Sequence, residues 1–164
     1  MKYSDFGLSR IFASNDRPMT KNVVTLHYRA PEILFGATHY GPEADIWAAG
    51  WILGGLVTRE ILFWGLDDID QLARIFSVLG TPTESSWKGV TDLPNYVEFE
   101  KWEPQSLKSL FSGIDSNLID LMSLMLILDP NNRITLEEAL DHPFFTESPE
   151  KWSPKELPLP KGKE

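Results

Sequence analysis

Apolar residues recur along this chain with helical rather than alternating spacing. From Glu43 to about Thr58 they fall nearly all round the helix (Ala44, Ile46, Trp47, Trp51, Ile52, Leu53, Leu56), and Pro42 suits a first turn, where its missing N–H costs little. A helix apolar on every side predicts burial on every side, which would make this segment the axis of the domain. Asp68 to Leu79 is amphipathic instead: Ile69, Leu72, Ile75, Phe76 and Leu79 share one face, Asp67 or Asp68 can cap the start, and Gly80 can end it. Leu118 to Leu128 reads as a strongly apolar helix stopped by Asp129-Pro130. Thr135 and Glu138 then have capping-box spacing for a final helix.

Three stretches lack that period. Residues 1–31, with Gly7 and Pro18, read as one short strand followed by a long loop, and long loops in compact domains are usually functional. Residues 81–115 carry Pro82, Pro94 and Pro104 among Trp87, Tyr96, Phe99 and Trp102, aromatics expected as packing anchors rather than a ligand site. From Ser148 onward Pro and Lys dominate (Ser148-Pro149, Ser153-Pro154, Leu157-Pro158), which predicts an extended or disordered tail over 146–164. No internal repeat and no linker interrupts residues 1–145.

Composition narrows the function classes. The 164 residues are 42% hydrophobic and 12% aromatic, enough for one core. There is no cysteine, so no disulfide framework or Cys-based zinc site, and a reducing compartment is compatible. No signal-peptide pattern and no apolar run of spanning length is present, which points away from a membrane. A net charge of −9 argues against a general nucleic-acid grip. The charge is uneven: residues 1–31 hold five basic and two acidic side chains, the remainder ten and twenty-two. That asymmetry is either an acidic solvated surface or a basic segment placed to hold a phosphate.

The chemistry-bearing residues form an ordered series. Asp5-Phe6-Gly7 is followed at activation-segment distance by Ala30-Pro31-Glu32, and then by Asp45-Ile46-Trp47-Ala48-Ala49-Gly50. Either tripeptide alone is weak; all three in order make chance an unattractive explanation. The stretches Asp5 to Arg10, Val23 to Glu32, Ile69 to Phe76 and Leu79-Gly80-Thr81-Pro82-Thr83-Glu84 resemble the cyclin-dependent protein kinases of the CMGC group. The likeness covers residues 1–145. Gly80 to Glu84, with Leu34 to Ala37 and Tyr40-Gly41, leans toward the CDK-activating branch, which also phosphorylates the RNA polymerase II C-terminal domain.

That resemblance implies a mainly α fold: the helical C-terminal lobe of a protein kinase, beginning at the Asp-Phe-Gly strand, with the activation segment over 5–32 and lobe helices over 33–145. It implies Asp5 as the magnesium ligand, Thr20 as the phosphorylated threonine, and Arg10 as part of the clamp on that phosphate. Val23, Val24 and Thr25 correspond to the pocket that favours Pro after the target Ser or Thr. Glu32 is expected to pair with Arg133, and Asp45, two residues before Trp47, to support the catalytic-loop backbone. Read without the resemblance, Thr20 is an ordinary loop threonine, Arg10 a solvated cation and Asp45 a helix-start acid. His27, His39 and His142 have no metal-ligand spacing.

Within these residues there is no Gly-rich loop, no Val-Ala-Ile-Lys strand and no His-Arg-Asp base with its Asn, so no catalytic residue is assigned. The expectation is a fragment of a proline-directed serine/threonine kinase, inactive by itself, whose parent uses ATP and Mg2+, a cyclin and an assembly factor, acts on Ser/Thr-Pro proteins and resides in the nucleus. The alternative is a non-catalytic interaction module or decoy. Departures from the family pattern are His27 for a usual Trp, Trp51 for a small residue, and Gly54-Gly55 in the central helix, at about 1 kcal/mol per Gly against Ala.

Overall fold

A computed structural model describes residues 6–9, 25–59 and 62–147. Every regular element among them is helical. The α-helices are α1 (Pro31–Leu34), α2 (Glu43–Thr58), α3 (Asp68–Leu79), α4 (Leu107–Leu110), α5 (Ser116–Met125), α6 (Leu136–Leu140) and α7 (Pro143–Thr146). Single 3-10 turns stand at Phe6–Leu8, Leu26–Tyr28, Val90–Asp92 and Pro130–Asn132. The chain is mainly α, as its periodicity implies. Of the tail expected over 146–164, Thr146 is the last residue of α7 and Glu147 accepts from Asn117 of α5, while residues 148–164 and the strand expected at Met1–Ser4 lie outside the described residues.

Helix α2 is central but not enclosed. It buries Ala44, Ile46, Trp47, Gly50, Trp51 and Gly54, while Ile52 and Leu56 are 37% and 64% exposed. This corrects the expectation of all-round burial: α5 and the Leu26–Tyr28 and Pro130–Asn132 turns pack against α2, yet Leu56 and part of Ile52 stay in water.

Where α2 crosses α5, its glycines set the distance. A Cβ on Gly50 would lie 2.9 Å from Met125 Cβ. One on Gly54 would overlap Leu62 Cδ1 and lie 3.0 Å from the Met122 methyl. The expected propensity cost at position 54 is therefore offset by helix packing that no larger residue permits. Trp51, 1% exposed, stands edge-on to Phe63 at 4.6 Å.

Helix α3 begins and ends as its sequence predicts. The Asp67 carboxylate accepts from the Asp70 N–H at 2.9 Å, and Gly80 ends the helix at φ 87°. Its buried face differs from expectation, holding Leu72, Ile75, Phe76 and the fully buried Gln71, while Ile69 is exposed. Gln71 goes inward because the loop before the helix needs it: Oε1 accepts from the Gly65 N–H at 2.8 Å and Nε2 donates to the Phe63 carbonyl at 3.3 Å.

Helix α5 runs Ser116–Met125, earlier than the predicted 118–128, because Asp115 caps the Leu118 N–H at 3.0 Å. It stops before Leu128 because the Ile127 and Leu128 carbonyls turn to Arg133. Asp129-Pro130 instead opens a 3-10 turn, with Asp129 accepting from the Asn131 N–H. The Thr135–Glu138 capping box closes reciprocally at the start of α6. In the irregular region, Phe35 is fully buried among Phe76, Trp87, Tyr96 and Phe99, with ring centroids 5.6–6.1 Å away. These aromatics are packing anchors.

Candidate functional site

The candidate site is the segment that enters α1 and the groups that hold it. Thr25 is exposed and starts the Leu26–Tyr28 turn, accepting the Tyr28 N–H on its carbonyl at 3.0 Å. Arg29 then reaches Asp68 at the start of α3, at 3.1 Å. Ala30-Pro31-Glu32 continues directly into α1, with Pro31 in the first helical turn, where no intrahelical donor is needed.

Glu32 is buried, and its carboxylate is met by Arg133 with two bonds of 2.7 Å. The remaining three N–H groups of Arg133 go to the carbonyls of Ile127 at 2.7 Å, Leu128 at 3.0 Å and Glu43 at 3.1 Å. All five donors of the guanidinium are used, which is what makes a buried cation tolerable. Its carbon lies 5.1 Å from the centre of the Trp47 ring. One cluster thus ties the Ala30-Pro31-Glu32 end, the first turn of α2 and the loop after α5.

Asp45 stands on the opposite, outward side of α2 from Trp47, two residues on. Partial burial, with the neighbouring Glu43 carboxylate adding to it, raises its pKa above the ordinary carboxylate value. Asp5, Arg10, Thr20, Val23 and Val24 lie outside the described residues. Next to Asp5, Phe6 is 71% exposed and its carbonyl accepts from both the N–H and the hydroxyl of Ser9. Among the described residues no group of three or more His, Asp or Glu side chains is arranged to hold a metal ion.

Two groups were missed at the sequence level. His27 stacks on Trp64 at 4.5 Å between centroids, and its Nδ1 lies 3.4 Å from Gln71 Oε1. That oxygen only accepts, so the contact is a hydrogen bond in the tautomer that carries its proton on Nδ1. The signal for Gln71 was present in the chain, a lone amide beside Leu72 in an apolar stripe. Nothing local marked Trp64 as the partner of a residue 37 positions earlier.

Comparison with known proteins places this geometry. The protein kinase domain family matches residues 1–145. Cyclin-dependent kinase 7 of Dictyostelium discoideum is 45% identical over 163 residues, covering 99% of this chain and 45% of that protein. Cyclin-dependent kinase D-1 of Oryza sativa subsp. indica is 44% identical over 163 residues, 99% of this chain and 38% of that protein. Cyclin-dependent kinase B2-1 of Arabidopsis thaliana is 42% identical over 153 residues, 93% and 49% respectively. The chain spans less than half the length of these curated relatives.

Proposed function

The chain belongs to the protein kinase family, in its cyclin-dependent branch, and from that premise we propose that it supplies the activation segment and helical lobe of a proline-directed serine/threonine kinase of the CDK-activating type. The complete enzyme would move the γ-phosphate of ATP, with Mg2+, to Ser or Thr before Pro. Residues 1–145 are its kinase-domain part and 146–164 a tail. The observation that carries the reading is the Glu32–Arg133 pair, with Arg133 completely enclosed. It anchors the downstream end of a segment whose upstream end is Asp5-Phe6-Gly7, so a phosphate on Thr20 clamped by Arg10 would order a loop already fixed at its far end. Asp5 would hold the magnesium that neutralises phosphate charge, and Val23, Val24 and Thr25 would receive the substrate proline. Asp45 would brace the catalytic-loop backbone from the outward side of α2.

The 164 residues alone are proposed to be inactive, since they contain no His-Arg-Asp base and no phosphate-binding Lys. A cyclin and an assembly factor would be partners of the complete kinase, and the nucleus its location. Membrane and nucleic acid are not proposed as partners: no described helix is long and apolar enough to cross a membrane, and the net charge is −9. The test is a phosphotransfer assay on a Ser-Pro peptide with magnesium and ATP. The purified chain should give background only. Joined in frame to the upstream half of the Dictyostelium relative, it should transfer phosphate. Activity of the chain alone would overturn the inactivity proposal; an inactive, folded hybrid would overturn the kinase proposal.

A second reading, a non-catalytic module that binds substrates or assembly partners, is favoured by the exposed stripe of Ile52 and Leu56 on α2. Binding of a Ser-Pro peptide or an assembly partner by the chain without transfer separates it from the first.

A further inference from the structure

Three large apolar side chains stand in water where the chain enters α3: Trp64 at 55% exposure, Leu66 at 81% and Ile69 at 45%. The backbone beneath them is fixed. The Leu66 N–H donates to the Asp70 carboxylate at 2.9 Å and the Gly65 N–H to Gln71 at 2.8 Å, which pins the loop to the first turns of the helix. Phe63, next to Trp64, is buried against Trp51. A partner that covers this ledge therefore orders little beyond side chains. On one side the ledge adjoins the segment that enters α1. His27 stacks on Trp64 at 4.5 Å, and it stands two residues, at most about 7 Å of chain, from Thr25. The helix start beside it is acidic. Asp68 and Asp70 are answered by Arg29 at 3.1 Å and Arg74 at 3.0 Å, whereas Asp67 makes no ion pair among the described residues.

We propose that this ledge docks the protein substrate through a segment outside its Ser/Thr-Pro acceptor, an apolar stretch that carries Lys or Arg. The proposal rests on the kinase reading above, which sets Thr25 against the substrate proline. Apolar side chains of the segment cover Leu66, Ile69 and the exposed part of Trp64, and its cation meets Asp67. The burial supplies affinity. The charge fixes register and quickens encounter. An acidic segment would set like charges beside Asp67 in a chain of net charge −9, and a wholly polar one would leave the three side chains uncovered. Contact made away from the transferred phosphate is the same before and during transfer, so it acts on KM and not on kcat.

The test titrates the isotope-labelled 164-residue chain with a Leu-Arg-Leu-Arg-Leu peptide, followed by NMR. Shifts are expected at the Trp64 indole N–H and at the amides of Leu66 to Ile69. Leu66→Ser combined with Ile69→Ser should weaken binding at least about ten-fold. Asp67→Asn keeps the helix cap and should weaken it about two- to five-fold, more at low salt. Equal binding of a Ser-Arg-Ser-Arg-Ser peptide, or shifts confined to other residues, overturns the docking surface. A second arm uses the hybrid with the upstream half of the Dictyostelium relative, on a Ser-Pro peptide with and without the Leu-Arg segment appended. The segment should lower KM about five- to ten-fold with kcat unchanged, and the Leu66→Ser, Ile69→Ser pair should abolish the difference. Equal KM values for the two peptides overturn the assignment to the substrate and leave the kinase reading standing. An inactive, folded hybrid overturns the kinase reading, with the ledge itself decided by the titration.

Discussion

Glu32 and Arg133, 101 positions apart in sequence, meet as two parallel 2.7 Å bonds with almost no solvent contact. Removing either partner strands a buried charge. Arg133→Ala is expected to destabilise the chain by about 3–5 kcal/mol, read as a lowered urea midpoint. Arg133→Lys should recover little, because an ammonium cannot present the same fork to a carboxylate and three carbonyls. Replacing both partners by Met should cost less than Arg133→Ala alone. A double variant as unstable as the single one would show that the carbonyl contacts, not the ion pair, hold this corner.

How far the fold was legible follows from the range of each interaction. Helix starts and stops depend on neighbours three or four residues away, so Asp67, Gly80 and the Thr135–Glu138 box could be read directly. The inward turn of Gln71 depends on the Phe63–Gly65 backbone, and the end of α5 on Arg133 drawing off the Ile127 and Leu128 carbonyls. Neither is visible to a helical period. The Glu32–Arg133 expectation rested on family likeness alone; no local pattern joins residues so far apart. Periodicity also reports that a face is apolar without reporting what covers it, which is why Ile52 and Leu56 were placed inside.

Gly50 tests the claim that helix approach outweighs propensity. In an exposed helix Gly→Ala gains about 1 kcal/mol. Here the new methyl would stand 2.9 Å from Met125 Cβ and 3.2 Å from a Leu126 methyl, so α2 and α5 must separate. Gly50→Ala should lower stability by about 1–3 kcal/mol. A rise in melting temperature would mean the crossing is looser than described.

Asp45 offers a pH signature. Its folded pKa is raised above 3.8 by burial first and by Glu43 second, so the folded state holds this proton more tightly than the unfolded chain. The resulting stability is fully present below 3.8 and is lost as pH rises through the raised folded value. Asp45→Asn removes that loss. The variant should gain stability relative to the parent as pH climbs from 3 to 7 in urea titrations, whatever constant offset separates the two. Parallel pH profiles would count against it.

Trp64 should hold the turn that leads into α1. Trp64→Ala removes the stacking surface under His27 but keeps its 3.4 Å contact to Gln71. An aromatic pair of this kind contributes about 0.5–1.5 kcal/mol beyond its buried area. Hydrogen exchange at Tyr28 and Arg29, whose N–H groups bond to Thr25 and Leu26, is expected to accelerate about two- to ten-fold. Exchange confined to α3 would place the role of Trp64 elsewhere.

The outward stripe of α2 predicts behaviour in solution. Leu56 is 64% and Ile52 37% exposed on the same face as Asp45. Groups so exposed contribute little to folding, because they remain in water in both states. They do offer a surface on which copies or partners can associate. Ile52→Ser combined with Leu56→Ser should reduce light scattering at high concentration and dye binding to apolar surface, with the urea midpoint nearly unchanged. The same pair of changes should weaken any partner that docks on α2. If the midpoint falls by more than about 2 kcal/mol of stability, the stripe is packed in solution, and something covers it that the described residues do not show.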